Sequence, residues 1–251
     1  MSTPERRPNL EIVSAEAASS TGRADPLPIW VTALDKVLSV QRPVVVAHVR
    51  SIRRRHPEAT NEQMLRTLER RYLSAVTAGG AAVGTTAAIP VVGTGTAIAL
   101  AGAETVGFLE SSALFAQSVA EVHGLPVSDP DRARALVITM MLGSSGKDIL
   151  RQFSGELMKT ARPRSAFWGE MITANLPQAA IGPVADELTR RFLKKFVTTK
   201  GGTLLGKVVP FGIGAVIGGV GNHLAGREVV RSARSAFGPA PLVLPAEFEP
   251  R

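Results

Sequence analysis

The sequence predicts an all-α fold, a multi-helix bundle around a Gly/Ala-rich apolar hairpin, and three observations carry that expectation. Helix-start and helix-stop residues punctuate the middle of the chain, apolar residues recur at helical spacing, and two long uncharged segments are built from small side chains. No segment reads as a strand ladder: "PVVVAH" at 43–48 is β-branched but flows into the helix-compatible "VRSIRRR".

Taken in order, residues 1–28 mix Pro, Ser, Ala and both charge signs without periodicity, and read as a disordered leader. Residues 29–237 read as one helical domain, and residues 238–251, "GPAPLVLPAEFEPR", as an extended Pro-rich tail. Within the domain, Thr60 followed by Gln63 is a capping box that opens a helix in which Leu65, Leu68, Tyr72 and Val76 share a face. His123 followed by Gly124 reads as a helix C-terminus with a left-handed glycine cap. Ser128-Asp129-Pro130 sets a cap residue before a first-turn proline, opening "DRARALVITMML", which Gly143 closes. Pro183 is expected to open "VADELTRRFLKKFV", with acids in the first turn and bases in the last, as the helix dipole prefers.

Bulk composition limits the function classes. The 251 residues are 45% apolar, ample for a buried core, so disorder throughout is excluded. Ile29 to Phe237 holds 25 Lys and Arg against 15 Asp and Glu, so the folded body carries about +10 and favours anionic surfaces. With 5% aromatic residues there is little material for base stacking, which points to a membrane or anionic lipid rather than nucleic acid as the partner. No cysteine is present, which removes disulfides, thiolate metal sites and Cys nucleophiles. The N-terminal stretch has no signal-peptide apolar core, so the expected place is the cytoplasmic side of the inner membrane, peripheral or integral, with the cytoplasm as alternative.

The first uncharged segment, Tyr72 to Ala103, runs 32 residues, against the roughly 20 a bilayer-spanning helix needs. Pro90 and Gly93 interrupt it, because proline removes a backbone donor and clashes with the preceding turn, so a hairpin is expected with arms ending near Ala88 and starting at Thr94. Glu104, Glu110 and Glu121 make the second arm polar for a bilayer. Gly80 and Gly84 form a GxxxG pair, which serves close helix contact in lipid and in a soluble bundle alike.

The second segment begins "GGTLLGKVVPFGIGAVIGGVGNHLAG". Gly201, Gly206 and Lys207 match phosphate-loop spacing, but Val208 stands where a hydroxyl must bind magnesium, and Pro210 disturbs the helix that should follow. A nucleotide site is rejected on those grounds. Beyond Lys207, residues Gly214, Gly218, Asn222 and Gly226 fall on one strip at spacing four, a close-packing surface. The 19 residues from Val208 to Gly226 would reach about 28 Å as a helix, just enough for a hydrocarbon core.

The run "AGGAAVGTTAAIPVVGTGTAIALAGAETVGFLESSALFAQSVAEVHG", then "DPDRARALVITMMLG", then "VVPFGIGAVIGGVGNHLAGREVVRSARSAF" resembles the EcsC family of bacterial proteins, over roughly Arg70 to Phe237. The resemblance implies a cytoplasmic or membrane-associated protein, linked by the family's name to an ABC-transporter operon affecting secretion and competence. It implies no established reaction and supplies no catalytic residues.

Other chemistry is sparse. His48, His56, His123 and His223 lie far apart without metal-helix spacing, and "GSSG" at 143–146 is no nucleophile elbow, so no catalytic, cofactor or metal residues are assigned. Glu104 stands out as a carboxylate in a tightly spaced apolar helix; if buried it must be protonated or paired, with Lys207 as the candidate partner. Arg190, Arg191, Lys194 and Lys195 make a basic face opposite Val184, Leu188, Phe192 and Phe196, a candidate contact for anionic lipid. Further basic clusters are Arg53 to Arg55 and Arg70 with Arg71. The leading expectation is a non-enzymatic, membrane-associated accessory or regulator of a transporter or envelope process, with a membrane protein such as an ABC transporter as a candidate partner. The alternative is a soluble all-α adaptor or apolar-ligand-binding protein. An enzyme built around Glu104 and His223 ranks third.

Overall fold

The computed structural model describes residues 41–86, 94–157, 167–200 and 213–249, and all structural statements concern these. They form helices joined by turns, with no strand among the described residues. In chain order the helices are α1 (Arg42–Arg55), α2 (Asn61–Thr86), α3 (Thr94–Val122), α4 (Pro130–Leu142), α5 (Ser144–Leu157), α6 (Trp168–Glu170, continued by a π turn Met171–Asn175), α7 (Gln178–Lys200) and α8 (Ile213–Phe237). The leader, Pro90, Gly93 and Lys207 lie outside the described residues.

Local chemistry explains most of the boundaries. The Thr60–Gln63 box closes reciprocally, the Thr60 amide donating to Gln63 Oε1 at 2.8 Å and the Gln63 amide to Thr60 Oγ1 at 3.2 Å. Asp129 caps α4 by accepting from the Asp131 and Arg132 amides at 2.9 and 3.0 Å, and Gly143 ends that helix at φ 62°. After α3 the Leu125 amide returns to the Ala120 carbonyl over Gly124 at φ 73°, a Schellman stop.

One boundary corrects the sequence reading. Pro183 does not open its helix but lies inside α7, which begins five residues earlier at Gln178 and has no acid in its first turn. Pro177 stands before the helix instead, its carbonyl accepting from the Ala180 amide at 2.9 Å. The early turn forms because it buries Ile181, whose fit against the core outweighs the single backbone bond that Pro183 cannot donate.

Helix α8 packs along α2, and α3 packs against the same α2, so the hairpin and the glycine-rich helix form one three-helix group. α4 packs against α3, α7 and α8, and α1 lies chiefly on α3. The core is filled by Met64, Leu68, Tyr72 and Val76 of α2, Leu109, Ala113, Ala116 and Ala120 of α3, Leu136 and Met140 of α4, and Val229 and Ala233 of α8. Tyr72 stacks on Phe115 with centroids 4.7 Å apart. The Ser112 hydroxyl donates to the Phe108 carbonyl at 2.8 Å, so the Tyr72 hydroxyl is the donor to Ser112 Oγ, also at 2.8 Å. Burial pushes the Tyr72 hydroxyl up to about 12.

Residues 238–249, expected as an extended tail, carry no α-helix but are packed. Gly238 turns the chain at φ 73°, Asn61 Nδ2 donates to the Pro241 carbonyl at 2.7 Å, and Leu244 and Phe248 are buried. Burying a side chain such as Phe248 stabilises by about 2–3 kcal/mol, enough to hold a short segment down.

Candidate functional site

Small side chains set the geometry of the α2–α8 seam. A Cβ built on Gly80 would stand 2.5 Å from the Gly218 carbonyl oxygen and 2.7 Å from Asn222 Nδ2, and one on Gly218 would collide with the Gly80 carbonyl. The two backbones therefore touch, which only glycine permits. One on Gly226 would be 3.0 Å from both Leu73 and Val76. Gly84 is buried, and Gly214 lies in the first turn of α8.

Asn222, itself buried, donates from Nδ2 to the Val76 carbonyl at 3.2 Å and to Glu104 Oε1 at 2.8 Å, tying α8 to α2 and α3 at once. Among the described residues Glu104 meets this neutral amide and no cation, while the proposed partner Lys207 falls outside them. His223, next in sequence, turns to α2: Thr77 Oγ1 donates to the Leu73 carbonyl at 2.6 Å, leaving its oxygen to accept from His223 Nδ1 at 3.1 Å. Glu104 also lines a cavity of about 270 Å³ walled by Phe108, Leu109, Met141, Phe192 and Val229, with Glu228 at its edge.

The basic faces divide into two kinds. Arg190 and Arg191 both bind Glu187, at 2.5 and 2.7 Å, so half of the basic face expected on α7 is turned onto a carboxylate; Lys194 and Lys195 are exposed. The apolar side of the same helix is inward, with Val184, Leu188 and Phe192 buried. By contrast, the end of α1 meets the middle of α2, bringing Arg55 beside Arg70 in one shallow depression and Arg70 beside Arg71 in the next. Among the described residues none of Arg55, Arg70 and Arg71 pairs with a carboxylate. Of the nearby acids, Glu62 pairs with Arg66 and Glu69 with Arg234, and Glu58 lines the Arg55–Arg70 depression without a bond to either arginine. Arg71 donates to Ser51 Oγ at 3.2 Å and is held below its usual range by burial and by the charge of Arg55; His48 is lowered by burial and by Arg71. Burial and, after it, a neighbouring cation thus act in the same direction on Arg71 and His48.

A carboxylate more deeply placed than Glu104 was not legible as special. Glu121 is 2% exposed and receives Arg42 through two bonds, Nε to Oε1 at 2.7 Å and Nη2 to Oε2 at 3.1 Å; Arg42 also reaches Glu247 at 2.6 Å. The triad ties α1, α3 and the C-terminal segment together, and the Glu121 bond raises the Arg42 guanidinium further. Its only sequence signal is a glutamate on the inward stripe of an otherwise small-residue helix.

No helix among the described residues is long and apolar enough to cross a membrane, and no group of three or more His, Asp or Glu among them could hold a metal ion. Comparison with protein-family models, curated proteins and solved structures finds no match.

Proposed function

We propose that this chain is a non-enzymatic helical protein that associates peripherally with an anionic membrane surface from the cytoplasmic side, as an accessory to a membrane protein such as a transporter. The observation that carries the reading is the arginine cluster Arg55, Arg70 and Arg71, assembled across two helices without a carboxylate partner among the described residues. Like charges held together cost free energy that an anionic surface recovers, at about 1 kcal/mol per well-placed base. Three bases then supply about 3 kcal/mol, roughly a hundredfold in affinity. The resemblance of the glycine-rich segments to EcsC proteins supports the same reading, and so does the exposed apolar pair Val220 and Leu224 on α8.

Cosedimentation of the full chain with vesicles tests it. Binding is expected to phosphatidylcholine vesicles containing phosphatidylglycerol, to weaken with salt, and to fall at least tenfold in the triple variant Arg55→Ala, Arg70→Ala, Arg71→Ala. Equal recovery with purely zwitterionic vesicles, or an unaltered affinity in the triple variant, overturns the proposal.

A further inference from the structure

We propose that the cavity between α3, α4, α7 and α8 is a binding site for a small cationic amphiphile, a primary alkylammonium whose head sits on Glu104 and whose chain lies against Leu109, Phe192 and Val229. The site is independent of the arginine cluster, which lies on the α1–α2 side of the molecule. Its volume of about 270 Å³ leaves room, at the roughly 30 Å³ a water claims in the liquid, for about nine groups of water or methylene size. The walls are apolar and firmly held, Leu109, Phe192 and Val229 being 6%, 8% and 3% exposed. Such a space gains from a hydrocarbon chain and little from water.

The polar end fixes the head group. Both hydrogens of the Asn222 amide are committed, one to the Val76 carbonyl and one to Glu104 Oε1, so the carboxylate is aimed and not free to swing. Glu104 is half-buried and, among the described residues, is offered only this neutral donor, leaving its second oxygen and its charge for a ligand. Glu228 adds a second carboxylate at the edge, engaged with Arg231 and leaning over Gly143. The Glu104 carboxylate, without a cation among the described residues and set beside an apolar wall, repels a fatty acid, leaves an alcohol without charge compensation, and favours an ammonium, which donates to carboxylate oxygen and neutralises it. An eight-carbon amine, protonated near neutral pH like a lysine side chain, matches both the volume and the charge.

Titration calorimetry of the full chain without vesicles, with octylammonium, octanol and octanoate each below its aggregation threshold, tests the assignment. Octylammonium is expected to bind one to one, at least tenfold tighter than octanol, with octanoate showing no binding. Glu104→Gln keeps an oxygen for Asn222 but removes the charge, and is expected to bring octylammonium down to the affinity of octanol with the melting temperature little changed. Ala225→Phe, at the exposed mouth of the cavity, is expected to abolish binding of both ligands while the fold melts normally. Indifference to head-group charge, or full binding in both variants, overturns the proposal. Because no lipid is present, its failure is separable from any failure of membrane docking.

Discussion

The two halves of the α2–α8 contact are held by opposite means. Toward the C-terminal half of α8 the helices are spaced by ordinary side chains, with Leu68, Tyr72 and Val76 packed in one core with Val229 and Ala233. Toward its N-terminal half Gly80 and Gly218 bring the backbones into contact and a buried asparagine replaces the apolar fill. The first half draws its stability from buried area, so it should be hurt by removing atoms; the second draws it from closeness, so it should be hurt by adding them.

The largest expected effect breaks the first half. Leu68→Ala leaves a hole at a position 1% exposed and should cost about 3–4 kcal/mol, measured by denaturant unfolding. Next, a single methyl in the second half, Gly80→Ala, drives a Cβ into the Gly218 carbonyl, a backbone atom that cannot swing aside; about 2–3 kcal/mol is expected, and an unchanged midpoint would show that the helices separate freely. Tyr72→Phe keeps the stack on Phe115 but strips Ser112 of its donor, for about 1 kcal/mol. The smallest effect has the opposite sign: at Gly79, one residue from the seam, an added methyl would meet nothing within 4 Å, so Gly79→Ala should stabilise by about 0.5–1 kcal/mol through helix propensity alone.

Acidification should single out the core half as well. His123 stacks on Phe237 and is lowered chiefly by burial, so the folded state binds its proton less readily than the unfolded chain. The stability tied to the neutral ring is complete above the unfolded value of about 6.5 and is lost as pH falls below it toward the folded value. His48 is lowered in the same sense. A thermal melt followed from pH 7.5 to 5 should show a falling midpoint, and His123→Gln should flatten part of that slope.

The two basic faces repeat the lesson on the surface. On α7 the bases and their acid are neighbours in sequence, Arg190 and Arg191 following Glu187 by three and four residues, and the pairing is a local helix event. The cluster of Arg55, Arg70 and Arg71 exists only because α1 and α2 meet, and two of the neighbouring acids, Glu62 and Glu69, are drawn off by Arg66 and Arg234.

What the sequence by itself determined is whatever is settled within a few residues: the all-α class, the Thr60–Gln63 box, the Asp129 cap, the glycine stops at 124 and 143, and the one-faced strip of Gly218, Asn222 and Gly226. Helix periodicity and cap chemistry act over one to three turns, so they can be read off a string. Tertiary structure alone decided that Glu121 would meet Arg42 across 79 positions, that Asn222 would hold Glu104, that Pro183 would be carried inside a helix to bury Ile181, and that the C-terminal segment would be anchored by Phe248. In each of these the controlling term is the desolvation or burial of a group by residues distant in sequence, and no local pattern encodes which distant residue arrives.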